Sequence, residues 1–376
     1  MPHICILSSV HLAFDNRIFY REAQSLKKAG HHLTIIAVHD CNENREGITV
    51  IGLKKVPRWK RPLLWITIFR YAISTNADAF HFHDPELLFV APWIRLITKK
   101  PTIYDVHEVL SDFIEIKDDL PFFIRYPAAW SSKWLEPFLS RFNNALIFAD
   151  EQIASSFKTI NLPKAILYNF PERSFIYQAI KATNNDSYRP SNILYLGGIK
   201  RNRGTRIMID SFNEVHDKFP EAHLYLVGPF APSSLEREIR SEFSRKGLEQ
   251  YVTITGGIPF EKVGDYLKIA AVGWITLPAN KKYSKNIPTK LFEYMAYRIP
   301  IVSSDLPPVR LFLQNNDVGY LVNPNDATAH AQAILSILDN PEKGMIMGKK
   351  GQELVNSKYN WDEMEQRLIA LYREIL

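Results

Sequence analysis

Short apolar runs recur along the chain, and each is followed by a stretch in which apolar residues return every three or four positions. ICILSS at 4–9 reads as a buried strand. Asp15 to Ala29 then carries Ile18, Phe19, Ala23 and Leu26 at helical spacing before Gly30 ends the segment. LTIIAV at 33–38 is the next strand, followed by AFHFH at 79–83, a helix opened by Pro85, TIYDV at 102–106 and ALIFA at 145–149. Strands alternating with helices predict a parallel sheet covered on both faces.

The pattern breaks between Phe170 and Pro190, where PERSFIYQAIKATNNDSYRP turns polar and rich in turn formers. NILYLGG at 192–198 starts it again, and HLYLVG, YVTITGG, VGWITLP and IPIVSS continue it. A chain of 376 residues suits two cores better than one. The expected fold class is therefore α/β, with two doubly wound Rossmann-like domains, 1–180 and 181–359, facing a cleft. The closing segment, 360–376, places Met364, Leu368, Ile369 and Tyr372 on a helical period and is expected to pack back on the first domain. No repeat of 20 to 50 residues is visible, which excludes a solenoid.

Composition narrows the class. Hydrophobic residues make up 46% and charged residues 23%, the balance of a globular chain. The two cysteines, Cys5 and Cys41, support neither a disulfide framework nor a four-ligand zinc site, which favours the cytosol. MPHICILSS has no basic leader, and no window of eighteen apolar residues follows. The expectation is a protein neither secreted by a signal peptide nor membrane-spanning. A net charge of +6 favours phosphates or an anionic surface and does not call for nucleic acid. Cations cluster where Lys54, Lys55, Arg58, Lys60 and Arg61 interleave with Trp59, Leu63, Leu64 and Trp65. Phe123, Tyr126, Trp130 and Trp134 follow within 122–138. Such mixtures suit an anionic membrane interface, the alternative being that the aromatics pack inside the first domain.

In parallel sheets, ligands meet the loops after the strands. The loop Gly197-Gly198-Ile199-Lys200-Arg201-Asn202-Arg203-Gly204 combines glycines with three cations and suits a diphosphate; its plain alternative is a solvated basic turn. It has neither the dinucleotide glycine fingerprint nor the P-loop ending. In YSKNIPTKLFEYMAYRIP at 283–300, Pro288 is expected to open a helix, Lys290 adds charge, and Glu293 follows on the same face, where a carboxylate can hold two sugar hydroxyls. The alternative is an amphipathic helix with Leu291, Phe292, Met295 and Ala296 as core. His107 and Glu108 follow a strand, as do Asp15 and Arg17, with core packing and a helix cap as their ordinary readings. His81, His83 and Asp84 are ligand-type residues, but Asp84-Pro85 reads equally as a cap and first-turn pair, so acceptor-side packing is preferred to a metal.

Residues 283–300 resemble the donor signature of retaining glycosyltransferases of family 4, which have the glycosyltransferase B fold. The resemblance extends over nearly the whole chain, through DNRIFYREAQSLKKAGHHLTIIA, HDPELL, YDVHE, YNFPE and VGYLVNPND. It implies a donor site of Gly198, Lys200, Arg203, Gly257, Asn286, Thr289, Lys290, Leu291 and Glu293, with Glu293 on the ribose hydroxyls. It also implies His107 near the anomeric region, with Glu108 or Asp105 orienting it; from their places after strands, Asp15 is read as a further catalytic residue and Arg17 and His83 as facing the acceptor. The family pattern is two glutamates seven residues apart, and Lys285 stands at the first position. Ile199 and Arg203 likewise replace the family's arginine and lysine in the glycine loop. The implied substrates are a UDP-sugar or GDP-sugar and a glycan or polyprenyl-linked acceptor, with retention, hinge closure between domains, and a place in cell-surface polysaccharide assembly. No cofactor and no metal are implied. The implied location is cytoplasmic, peripheral on the inner face of the plasma membrane. Two rivals remain: a non-catalytic sugar-nucleotide-binding protein, with Lys285 marking lost activity, and a sugar-nucleotide epimerase of the same fold.

Overall fold

The computed structural model describes residues 1–116, 120–184 and 189–376, and the chain forms two compact units: Met1–Asn169 with Trp361–Leu376, and Phe170–Asn360. Positions 185–188 of the expected linker, and the side chain of Arg58, lie outside the described residues. The break falls at 169/170 and not at 180. Phe170 packs against Phe292, Phe312 and Tyr359 of the second unit. The helix Arg173–Ala182 is tied there too, because Arg298 donates to the carbonyl of Thr183 at 2.9 Å.

The first unit is built on β1 (His3–Leu12), β2 (His32–Val38), β3 (Glu43–Arg45), β4 (Ile48–Leu53), β5 (Ala79–Phe82), β6 (Thr102–Val106), β7 (Ala145–Phe148) and β8 (Lys164–Ile166). Their order in the sheet is β3-β4-β2-β1-β5-β6-β7-β8, parallel throughout except for β3 on β4. β3 and β8 were not legible, being three residues each and bordered by polar ones, and β4 was passed over although ITVIGL is an apolar run. On one face, Cys5, Leu7, Phe80, Phe82 and Tyr104 form a core with Leu64, Ile68 and Ala72 of the helix Arg61–Ser74, with Leu87, and with Ile94 of the helix Ala91–Thr98. Strand alternation turns Ile4, Ile6, His81, Ile103 and Asp105 to the opposite side. There the hydroxyl of Tyr372, on the helix Trp361–Ile375, meets His81 Nδ1 at 3.0 Å.

The expected helix after β1 is π-helical over Asn16–Ala23 and α-helical only over Gln24–Lys28. Asp15 caps it by accepting from the N–H groups of Arg17 and Ile18. The wider π turn brings residues five apart together, and Arg17 Nε lies 2.9 Å from Glu22 Oε1. Pro85 opens a 3-10 turn, Pro85–Phe89, before Ala91–Thr98 continues as an α-helix.

The second unit carries β9 (Asn192–Leu196), β10 (His223–Val227), β11 (Val252–Gly256), β12 (Val272–Ile275), β13 (Ile301–Ser304) and β14 (Gly319–Val322). All are parallel, in the order β11-β10-β9-β12-β13-β14. The edge strand β14, GYLV, escaped the sequence reading because it is four residues long, opens on a glycine and runs into the turn residues NPND.

Candidate functional site

In the second unit the loops after β9, β10 and β11 are stitched side by side. Gly197 N–H donates to the Val227 carbonyl at 2.8 Å, Ile199 N–H to that of Pro229 at 2.9 Å, and Gly228 N–H to that of Gly256 at 3.0 Å. Gly257 lies against Pro229. Gly197 has φ +111°, a conformation open to glycine, and a Cβ there would lie 3.6 Å from both Cε and Nζ of Lys290.

Lys290 is buried, at 7% exposure, on the seven-residue helix Lys290–Ala296. Its Nζ lies 3.6 Å from the centroid of the Tyr195 ring and has no hydrogen-bond partner in the protein. Burial, and then the charge of Arg203, push its pKa well below the lysine range, with Glu293 pulling the other way. Arg203 reaches the same loop, with Nη1 3.3 Å from the Gly198 carbonyl and Nε 3.3 Å from the Tyr283 hydroxyl. Two cations, one of them without a hydrogen bond, thus flank a glycine backbone; that arrangement holds an anion.

Other expected members of this set stand differently. The helix begins after Thr289, two residues beyond Pro288, and exposed Thr289 caps it without a side-chain bond. Leu291 is fully buried and its N–H already donates to the Pro288 carbonyl at 3.1 Å, so it is a core residue and not a ligand contact. Arg201 pairs with Glu238 at the surface at 2.5 Å, while Lys200 is exposed and Lys285, Asn286 and Glu293 are half-buried. Tyr195 and Tyr283 were missed: Tyr195 sits inside an apolar strand and reads as core, which it also is.

The first unit gathers its ionisable groups into one buried network. Arg17 holds Asp105 through two bonds, Nε to Oδ2 at 2.8 Å and Nη2 to Oδ1 at 3.0 Å. Its Nη1 donates to the Leu167 carbonyl and to Asn169 Oδ1. His83 Nδ1 and His107 Nε2, 3.1 Å apart, each lie 3.3 Å from Asp105 Oδ2. Glu22 Oε2 lies 3.8 Å from His81 Nε2 and 3.7 Å from His83 Nε2. Burial, then the charge of Asp105, raises the Glu22 pKa well above the carboxylate range, and burial pushes the His83 imidazole down to about 4. Burial opposes ionisation of Asp105, yet Arg17 and His107 hold its carboxyl well below the usual range.

Arg17 and His83, expected to face an acceptor, are therefore interior residues at 4% and 2% exposure, spent on the network. Asp15 spends Oδ1 on the helix cap, with His11 Nδ1 3.7 Å from Oδ2. His107 keeps an outer edge, its side chain 22% exposed, and Asp105 is the carboxylate that its Nε2 meets; Glu108 is half-buried beside it. Asp84 turns away from His81 and His83. It accepts instead from Ser8 Oγ at 2.8 Å and from the N–H groups of Ser9 and Val10, and it makes no cap bond to the Pro85 turn. Glu22 and Asp105 close on the imidazoles in its place, but with the Arg17 guanidinium between them, which disfavours a second cation. His11 was missed. It lies near the end of β1, 3.6 Å from Asp84 and with its ring 5.1 Å from that of His107.

Two doubly wound parallel-sheet units of this kind are those of the glycosyltransferase B fold. The chain resembles sucrose-phosphate synthase from Thermosynechococcus elongatus with a TM-score of 0.77 at 19% identity, covering 100% of this chain and 99% of that one. It also resembles Anabaena HepE, solved with UDP-glucose, with a TM-score of 0.75 at 15% identity and full coverage of both. In sequence, residues 16–167 match the family described as "Glycosyl transferase 4-like domain" and residues 190–340 that described as "Glycosyl transferases group 1"; the chain belongs to the family 4 type of glycosyltransferases. A phosphatidyl-myo-inositol mannosyltransferase from Mycobacterium leprae is 22% identical over 84% of this chain and 78% of its own length. An alpha-D-kanosaminyltransferase from Streptomyces kanamyceticus is 26% identical over 49% of this chain, the match spanning about half (45%) of that relative.

Proposed function

We propose that the protein transfers a sugar from a nucleoside-diphosphate sugar, with retention, to a lipid-linked saccharide or glycan acceptor at the cytoplasmic side of a membrane, in polysaccharide or glycolipid assembly. The donor binds the second unit and the acceptor the first. The observation that carries this reading is Lys290, a buried lysine amine without a hydrogen-bond partner beside the Gly197-Gly198 backbone and near Arg203. A bound diphosphate supplies the acceptor oxygens that the protein does not.

As the bond from sugar to phosphate breaks, negative charge grows on the leaving diphosphate, and preset cations in a buried setting stabilise it more than water does. Lys290 and Arg203 take that role, and Glu293 takes the ribose hydroxyls. His107, oriented by Asp105 and His83, offers its exposed edge to a sugar hydroxyl. Retention follows from the family resemblance, and the lipid-linked acceptor gains support from the name of the mycobacterial relative.

A thermal-shift screen against UDP, GDP, ADP and their sugar conjugates tests the donor half. One nucleoside diphosphate should stabilise the protein selectively, by about 2.7 kcal/mol at a hundredfold excess over Kd. Glu293→Ala and Arg203→Ala should each lose most of that shift. No shift with any of them at millimolar concentration overturns the reading. With acceptor present, the anomeric configuration of the product by NMR reads retention. A rearranged free donor without released nucleoside diphosphate would mark an epimerase instead.

A further inference from the structure

Three helical segments on one face of the first unit present aromatic side chains outward that the chain itself leaves uncovered. The helix Phe122–Ser140 buries Ala129, Glu136 and Ser140, while Phe123, Tyr126, Trp130, Trp134 and Phe138 form an exposed stripe at spacings of three and four. Each of the five is more than half exposed, and Trp130 reaches 71%. With about 150–250 Å² per aromatic side chain, this single stripe presents on the order of 500 Å². That already equals the largest patch of an ordinary monomer, roughly 300–600 Å².

The stripe does not stand alone. Arg95 Nη1, on the helix Ala91–Thr98, donates to the Phe142 carbonyl at 2.7 Å and ties that helix to the end of the first. Trp93, Leu96 and Ile97 of the same helix are exposed. Phe89, just before it, stacks on Trp65 of the helix Arg61–Ser74 at 5.8 Å, and exposed Leu63, Ile66 and Trp59 extend the surface there. Residues 54–65 and 122–138, apart in sequence, are thus joined through the helix that follows Pro85, whose outward apolar side chains the sequence pattern does not mark.

Charge selects the occupant. Residues 54–74, 85–100 and 121–142 contain twelve Lys and Arg against two Glu, a formal +10, whereas the whole chain carries +6, which leaves the remainder at −4. Glu86 accepts from Ser9 Oγ at 2.5 Å and pairs with Arg61 at 3.3 Å, Lys100 pairs with Asp78 at 2.9 Å, and Glu136 accepts from the Tyr104 hydroxyl and the Leu110 N–H, which leaves the three segments strongly basic. A second copy docking through this face would set +10 against +10, while an anionic bilayer offers negative headgroups to the cations and an interfacial zone to the indoles. No helix among the described residues is long and apolar enough to cross a membrane.

We propose that this three-helix face docks the protein on an anionic lipid bilayer, with Trp59, Trp93, Trp130 and Trp134 entering the headgroup boundary. The inference deepens the transferase reading, on whose membrane location it rests, by naming the face that meets the bilayer.

The test is flotation with vesicles of phosphatidylcholine, with and without phosphatidylglycerol, using wild type and the double variant Trp130→Ser/Trp134→Ser. Wild type should float with anionic vesicles and be released by 1 M salt, where the screening length falls to about 3 Å. The double variant should partition at least about tenfold less, with unchanged melting temperature and unchanged stabilisation by nucleoside diphosphate. Vesicles with brominated acyl chains should quench the tryptophan fluorescence of wild type far more than that of the variant. Equal partition of both proteins, no partition at low salt, or a dimer in analytical ultracentrifugation that the double variant abolishes would each overturn the proposal. Because nucleotide stabilisation is read on the same samples, loss of docking and loss of the donor site remain distinct results.

Discussion

Both units bury ionisable side chains at the carboxyl ends of their parallel strands, and they treat them in opposite ways. In the first unit Arg17 is answered by Asp105, Glu22, a carbonyl and an amide oxygen. In the second, Lys290 is answered by a phenol ring and by no oxygen, with a like charge, Arg203, nearby. Burying a charge is costly unless partners replace its water. The first network answers its cation with oxygens and holds His107, although the Glu22 carboxyl oxygens, His81 Nε2 and His83 Nε2 make no hydrogen bond within it. A lysine amine left without an oxygen partner reduces the stability of the free protein and is compensated when an anion arrives.

The largest effect that can break this contrast is on the first unit. Arg17→Met removes the cation that holds the buried Asp105 carboxylate and should destabilise that unit by about 3–5 kcal/mol, read by denaturant unfolding with Trp361 and Tyr372 as local reporters. A loss under about 1 kcal/mol would mean that the network is not the support described.

Lys290→Met should behave in the reverse manner. Nucleoside diphosphate binding should weaken by about 10- to 150-fold, the worth of a hydrogen bond to a charged group, measured by calorimetry, while the free protein becomes no less stable. The pH dependence follows the same sign. The pKa of Lys290 is lower folded than unfolded, so between that lowered value and the ordinary 10.5 the unfolded chain holds more protons, and stability rises with pH. The variant should lack that rise.

The smallest effect sharpens the reading of the network itself. Glu22 has a raised pKa, so the folded state holds its proton where the unfolded chain has released it, and stability falls as pH climbs from the ordinary 4.5 to the raised value. Glu22→Gln keeps the shape and the neutral state. It should change stability near neutral pH by under about 1 kcal/mol, and it should flatten that fall in a series of melts.

The strands buried on both faces were plain in the sequence because continuous apolar runs such as ICIL and NILYL have few other uses in a chain of this composition. The edges β3, β8 and β14, of three or four residues bordered by polar ones, were not, whereas the edge strand β11 showed through the β-branched run VTIT; β4 was passed over although ITVIGL is an apolar run of the same kind. Within the site, Arg203, Lys290 and Glu293 stood out because charge inside an otherwise apolar, turn-bounded pattern is conspicuous. What stayed hidden was pairing across long separations. Nothing in DNR or YDVHE states that Arg17 meets Asp105, 88 positions away, or that Glu22 closes the group through a π turn. Arg17 and His83 were read as ligand-facing because sequence gives strand ends but not depth.

The first unit is made of two stretches of chain, Met1–Asn169 and Trp361–Leu376, with the whole of the second unit between them. During synthesis the second unit is complete while the first still lacks its last helix, so the usual amino-to-carboxyl order of domain folding is inverted here. Until Trp361 reaches Ser25 and Tyr372 reaches His81, the half that carries the buried charges is open on one side. A nascent chain arrested before residue 361 should therefore already bind nucleotide, while its earliest-made half remains the part a chaperone or protease would find.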